Sequence, residues 1–279
     1  MDVDAKKRIE AIRKRVSVRS FADAPSTVEM KETIRRLTTS HAGRKGPFGH
    51  TFRPFFVENV KTTGRIGTYG FIKNAPAFVG GVANKEFLAL VDFAHAFEHL
   101  MLDLVAEGFG TCWLAETFKR GKISSITNVE GFIPAVSPVG IPARKKSLRE
   151  RAIAGLARAR TRRPPEELFF LSSLDEPLPK GHPLGDVFEL VRIAPSGGNR
   201  QPWRLFIEEG IIRLYIKKSA VKSLFPVDIG ALDAGIALAH LELGLDHLSY
   251  SFEYCDDAEA PPRKGMLHVA SMKVSGAGL

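Results

Sequence analysis

Residues 194–203 read Ala-Pro-Ser-Gly-Gly-Asn-Arg-Gln-Pro-Trp, and their types and spacing suit contact with a ligand. Ser196 and Asn199 bring hydroxyl and amide donors and acceptors to one short loop. Gly197 and Gly198 allow close approach to the backbone. Pro195 disfavours helical geometry at Ala194, so the amphipathic segment 186–193 must stop there. Composition alone favours an ordinary polar turn. A second candidate is the basic run 144–163. There Arg144, Lys145, Lys146, Arg149, Arg151, Arg158, Arg160, Arg162 and Arg163 face a single acid, Glu150. Such a run suits a phosphorylated ligand or nucleic acid; a solvated basic helix is the plain alternative. No aromatic residue is interleaved, so stacking on a single strand is not supported.

Other chemistries are excluded by what is missing. Two cysteines, Cys112 and Cys255, build neither a disulfide framework nor a cysteine-rich metal site. Cys112 has no basic sequence neighbour to lower its pKa and reads as a small buried apolar residue. None of the eight histidines shows metal-ligand spacing, and His95 with His99 alone is a poor zinc site. No Gly-rich dinucleotide fingerprint follows a strand, and no Gly-x-Ser-x-Gly nucleophile motif is present. No apolar run approaches the ~18 residues of a membrane span, and residues 1–17 lack the apolar centre of a signal peptide. A cytoplasmic protein without a membrane partner is the expectation. The net charge is +9, and 44% of residues are apolar, enough for a substantial core.

The elements that would position these residues follow from periodicity. Ile9, Ile12 and Val16 predict a helix over 5–16 with Asp4 as its cap. Ser26 and Glu29 have capping-box spacing ahead of a helix carrying Ile34 and Leu37. Residues 40–51 read as a loop, 52–58 and 75–82 as strands. Segment 86–107 is the longest periodic stretch, a central buried helix closed by Gly108. Residues 113–128 predict a weaker helix, 132–141 a short strand, and 145–159 the basic helix, ended by Pro164 and Pro165. Residues 171–183 read as a connector. The second part predicts a helix (187–193), strands (203–208, 211–217) joined by a turn at Glu208-Glu209-Gly210, a helix (229–243) and strands (250–254, 267–274).

This order repeats the first part. Asp92 and Gly108 parallel Asp228 and Gly244 on the two long helices, and residues 52–58 parallel 200–208 around a proline. Two matching halves suggest a fused dimer. The halves differ where it matters, because residues 38–49 carry neither the Pro-Ser nor the Asn-x-Gln-Pro-Trp of residues 195–203.

With those motifs in hand, the chain resembles the FMN-dependent nitroreductase family, in a tandem form. Arg15-Val16-Ser17-Val18-Arg19-Ser20-Phe21 is similar to its Arg-Arg-Ser-x-Arg-x-Phe motif with one replacement. Residues 194–203 match its Ala-Pro-Ser-x-x-Asn-x-Gln-Pro-Trp loop. Gly108-Phe109-Gly110-Thr111-Cys112-Trp113 is similar to its Gly-Leu-Gly-Thr-x-Trp run. Gly140-Ile141-Pro142 and residues 162–167 are similar to its closing segments. The loop normally follows the first motif closely, whereas here it lies in the second half.

The resemblance implies an α+β fold of two duplicated halves, 1–170 and 171–279. Each would carry a mainly antiparallel sheet flanked by helices, fused as an intramolecular pseudo-dimer that acts as a monomer or assembles further. It implies one FMN site between the halves. Arg15 and Arg19, with Arg160 and Arg162, would hold the phosphate, since guanidinium pairs with phosphate oxygens in fixed geometry. Ser17 would bond the flavin or ribityl chain, and Pro195, Ser196, Gly197 and Asn199 would line the ring and ribityl oxygens. Ala115 and Glu116 would face flavin N5, although many relatives have Gly-Gly there. Tyr69 and Lys73 are weaker candidates for the cofactor edge or substrate mouth, and Trp203 reads as core. No catalytic acid is nominated. The implied activity is reduction of nitroaromatic, quinone-like or related electron-poor small molecules with NADH or NADPH. Dehalogenation, flavin breakdown and flavin binding without turnover are the alternatives.

Overall fold

The computed structural model describes residues 5–23, 27–58, 68, 70–144, 161–218 and 226–276. The predicted basic helix 145–159, the caps Asp4 and Ser26, Arg160 and Tyr69 lie outside them.

Helix α1 (Ala5–Lys14) buries Ile9, Ala11 and Ile12. It ends before Val16, which is exposed. In α2 (Val28–Ser40) the cap is Thr27, whose hydroxyl accepts from Met30 N, rather than Ser26. Strands β1 (Arg53–Glu58) and β2 (Ala77–Val82) pair antiparallel. The long helix α3 (Phe87–Ala106) follows, closed by Gly108 at φ +85°. Residues 113–119 are not the first part of a helix, as periodicity had suggested. Leu114 instead exchanges both backbone hydrogen bonds with Val136, so pairing with the sheet overrides local propensity. Only α4 (Arg120–Thr127) is helical there. Strands β3 (Gly110–Thr111) and β4 (Val136–Gly140) complete the first sheet, in the order β1-β2-β4-β3.

The second half comprises α5 (Gly185–Arg192), β6 (Trp203–Glu208), β7 (Ile211–Lys217), α6 (Ile229–His247), β8 (Ser251–Cys255) and β9 (Met266–Ser275). Its sheet runs β5-β6-β7-β9-β8, where β5 is Phe169–Phe170. Leaving out β5, both sheets share one strand order around the same helix pair, so the chain is an α+β fold built from two duplicated halves. Strand β5 lies parallel to β6, so the end of the first stretch of chain adds an edge strand to the second sheet and interlocks the halves. The β6–β7 turn is a two-residue loop in which Glu209 and Gly210 both have positive φ (49° and 73°), which suits the right-handed twist of the strands.

Helix α6 runs a turn further than periodicity predicts and passes through Gly244. That glycine lies against Val187 of α5, 3.0 Å from where its Cβ would stand. The left-handed residue that ends α6 is Ser249, at φ 61°. Phe109 N bonds Leu104 O after α3, and Tyr250 N bonds Leu245 O after α6. The halves therefore correspond with Gly108 opposite Ser249 and Asp92 opposite Asp233, a five-residue correction to the pairing read from the sequence.

Helices α3 and α6 form the centre of the molecule, and their largely buried faces explain their near-continuous apolar sequence. They meet at Gly235 of α6. A Cβ there would lie 2.1 Å from Val91 O and 2.8 Å from Ala94 Cβ. Ala94 and Gly235 are equivalent positions of the two halves, so the helices touch backbone to backbone near the axis relating them.

Candidate functional site

A cavity of about 690 Å³ lies between the halves, inside the ~300–1,000 Å³ range of small-molecule sites. Arg15, Ser17, Arg19, Ala115 and Glu116 line it from the first half, and Pro195, Ser196, Gly197 and Asn199 from the second. Arg162, ahead of β5, joins them. Every described residue carried over from the family motifs is thus on one wall or another. Lys73 is not among the lining residues; its backbone N–H donates to Arg19 O and so braces the arginine's segment. Trp203 is fully buried in the core, as expected.

The segment after α1 is extended. Val18 N donates to Thr111 O, Phe21 N donates to Lys73 O, and Val18 and Phe21 point into a small core. Alternation leaves Ser17 and Arg19 toward the cavity. Gly110 permits this crossing, because a Cβ there would stand 2.9 Å from the Val18 side chain. Arg15 Nη1 is buried without a hydrogen-bond partner among the described residues. A buried guanidinium nitrogen left this way is costly, and an anionic acceptor at this wall would satisfy it.

The 194–203 loop is held by its own polar residues. Gly198, Asn199 and Gln201 all have positive φ. Ser196 Oγ accepts from Gln201 N at 2.9 Å, and Gln201 Oε1 accepts from Arg163 N at 2.9 Å. Asn199 works as a tie: Nδ2 donates to Thr161 O at 2.8 Å while Oδ1 accepts from Arg162 Nη1 at 3.0 Å. Arg162 Nη2 donates to Ile193 O at 3.1 Å. Burial, and then the neighbouring charges of Arg15 and Arg192, lower the Arg162 pKa from its ordinary value. Cations crowded in this way favour an anion between them.

Several lining residues carried no signal in the sequence reading. Arg13 and Arg192 add two more guanidinium groups from helix ends where arginine is unremarkable, and Arg200 adds a third from the 194–203 loop itself. Asp233 is a charged residue inside the apolar α6, and that contrast could have singled it out. It is buried, accepts from Gly197 N at 2.8 Å, and faces the cavity. Burial pushes its carboxyl up to about 7, with Asp228 adding to the rise against the Gly197 N–H and Arg200. Arg120 holds the other wall by donating to the carbonyls of Ala115, Ile133 (2.9 Å) and Pro134 (3.1 Å). Trp113 Nε1 donates to the buried Glu98 at 2.6 Å, which fixes the indole at the cavity edge.

The equivalent place in the first half is closed. Asp92, the counterpart of Asp233, accepts from Phe48 N, His50 N and the His50 ring, each within 2.9 Å. Gly46 lies so close to Asp92 that a Cβ would stand 2.4 Å from its carboxylate. A separate space of about 130 Å³ lies beside His50, Phe93 and Val82.

A family model described as "Putative TM nitroreductase" matches residues 7–245. The solved structure of a "putative nitroreductase" from Thermotoga maritima MSB8 has a TM-score of 0.61 and 22% identity, covering 98% of this chain and 96% of that one. An FMN-dependent nitroreductase from Clostridium difficile R20291 is 20% identical, with a TM-score of 0.38 and coverage of 50% and 90%. Iodotyrosine deiodinase bound to FMN and 3-iodo-L-tyrosine is 18% identical, with a TM-score of 0.38 and coverage of 50% and 92%. No protein with a curated description matches in sequence. Among the described residues, no helix is long and apolar enough to cross a membrane.

Proposed function

Because the chain belongs to the TM nitroreductase family, we propose that the cavity binds one FMN and that the protein reduces electron-poor small molecules with electrons from NADH or NADPH. The observation that carries this reading is the convergence of Arg15, Arg19 and Arg162 with the 195–199 loop on one cavity, with Arg15 Nη1 lacking a partner there. Phosphate supplies an acceptor oxygen for Arg15 Nη1 and negative charge for the guanidinium groups gathered there. FMN, when bound, supplies the two-electron chemistry.

This chain's own residues have three tasks. Arg15, Arg19 and Arg162 bind the phosphate, and Arg160 belongs to the same proposal. Gly197 and Gly198 let the ring system approach the backbone, with Ser196 and Asn199 setting the loop's shape. Ala115 and Glu116, pinned through Arg120, close the opposite wall. Ile12, Trp113, Leu232 and Ile236 offer an apolar surface from which water is excluded. Halves 1–170 and 171–279 each contribute part of the site, so a single chain suffices.

The test is direct. Protein titrated with FMN should bind it, and NADH or NADPH should bleach the bound flavin without oxygen, with colour returning on addition of a nitroaromatic or quinone. Bound flavin indifferent to both nicotinamides would replace the reductase by a flavin-binding protein. No uptake of FMN would remove both readings.

A further inference from the structure

We propose that His95, His99 and Glu242 form a binding site for one divalent cation of the zinc type, at the contact between the two long helices and apart from the cavity described above. His95 and His99 are four residues apart on α3 and so share a face; their rings meet edge to face at 4.8 Å. Glu242 comes from α6. Its Oε2 lies 2.8 Å from His95 Nε2 and 3.9 Å from His99 Nε2. One donor atom from each of the three lies within 4.8 Å of the other two. Drawing these atoms onto bonds of ~2.0–2.2 Å takes only a modest side-chain adjustment.

The donor set has an unmet need that an ion would answer. Both histidines are buried, and neither ring nitrogen of His99 has a hydrogen-bond partner among the described residues. His240, the counterpart of His99 in the other half, is fully satisfied. Its Nδ1 lies 2.9 Å from Leu190 O and its Nε2 3.0 Å from Glu98 Oε1. The duplication therefore keeps a buried histidine in both halves and leaves it unpartnered only beside His95 and Glu242. A shared cation would take the place of the proton between His95 and Glu242 and give His99 a partner at the same time.

The surroundings fit. Tyr254 donates to Glu242 Oε1 at 2.6 Å, orienting the carboxylate so that Oε2 faces the histidines, the usual task of an outer-shell group. Glu242 is partly exposed and Asp246, one turn further along α6, is exposed, which gives a cation a negatively charged approach. Two imidazoles and one carboxylate match the ligand preference of Zn²⁺, with solvent available as a fourth ligand. The two helices belong to opposite halves, so the ion would act as a clasp across the pseudo-dimer.

Chelator-treated protein, otherwise intact, should be titrated with Zn²⁺ and its thermal midpoint followed. The expected result is about one Zn²⁺ per chain, a raised midpoint, and at least tenfold weaker binding in His99→Gln and Glu242→Gln, but not in His247→Ala at the exposed end of α6. Zinc-edge X-ray absorption on the wild-type protein needs no variant and should show nitrogen and oxygen ligands with imidazole scattering. No uptake by wild-type protein, uptake unchanged in both variants, or sulfur ligation would each overturn the site.

Discussion

Replacing Arg15 by alanine isolates the phosphate half of the proposed cofactor site. Its Nη1 is buried against the cavity with no hydrogen-bond partner among the described residues. Its charge also bears on Arg162, lowering that group's pKa after burial itself. In protein without flavin, the substitution therefore removes an unsatisfied donor and relieves like-charge crowding, so the thermal midpoint should hold or rise. With FMN bound, the same change removes a charge-assisted hydrogen bond, worth about 1.5–3 kcal/mol. At ~1.4 kcal/mol per decade, FMN should bind roughly 10- to 150-fold more weakly. Riboflavin has the same ring and ribityl chain without the phosphate, so its affinity should change little. Fluorescence titration of both flavins against wild-type and Arg15→Ala protein measures the contrast. Equal losses for FMN and riboflavin would place Arg15 at the ring instead of the phosphate, and unchanged FMN affinity would refute the assignment.

Asp233 predicts a pH dependence. Its folded-state pKa is raised from 3.8 to about 7, so the folded chain holds a proton that the unfolded chain releases. That contribution is fully present below the unfolded value and is lost as pH rises through about 7. Asp233→Asn should flatten the fall in stability between about pH 4 and 7 and raise the melting temperature relative to wild type at pH 8; parallel pH–stability curves would count against it. Gly235→Ala places a methyl 2.1 Å from Val91 O and should cost ~1–3 kcal/mol or more, read as a lower denaturant midpoint; an unchanged midpoint would contradict backbone contact between α3 and α6. The closing of the first-half loop on Asp92 predicts about one FMN per chain, and two per chain would show that the closed loop opens.

Most of the strands and both long helices are legible in the sequence because burial on one or both faces writes itself as apolar periodicity. Residues 113–119 were misread because the same apolar spacing served a strand-like partner, Val136, that no local window contains. The duplication was visible but out of register. A glycine, Gly108, ends α3, whereas Ser249 takes the same left-handed conformation after α6, and Gly244 offered a false match. In the site, motif residues announced themselves through unusual combinations such as Asn-Arg-Gln-Pro-Trp. Arg13 and Arg192 did not, since only folding brings two scattered helix-end arginines to one cavity. Glu242 stands 147 positions from His95, which is why His95 and His99 looked like an incomplete set of ligands.

Asp92 and Asp233 show how one duplicated device yields a single open site. Each is a buried carboxylate on the central helix of its half, and each accepts backbone N–H groups from the loop after the preceding helix. In the first half the loop supplies two N–H groups and an imidazole. That carboxylate is saturated, and Gly46 lets the chain lie directly on it. In the second half Asp233 receives only Gly197 N among the described contacts, and burial raises its pKa. Proline at 195 and left-handed residues at 198, 199 and 201 turn the rest of that loop away, toward Thr161 and Arg162. The loop that collapses onto its aspartate closes its half, and the loop held off its aspartate leaves a cavity open. The arginines around that cavity, one with a buried nitrogen unmatched among the described residues, suit an anion there.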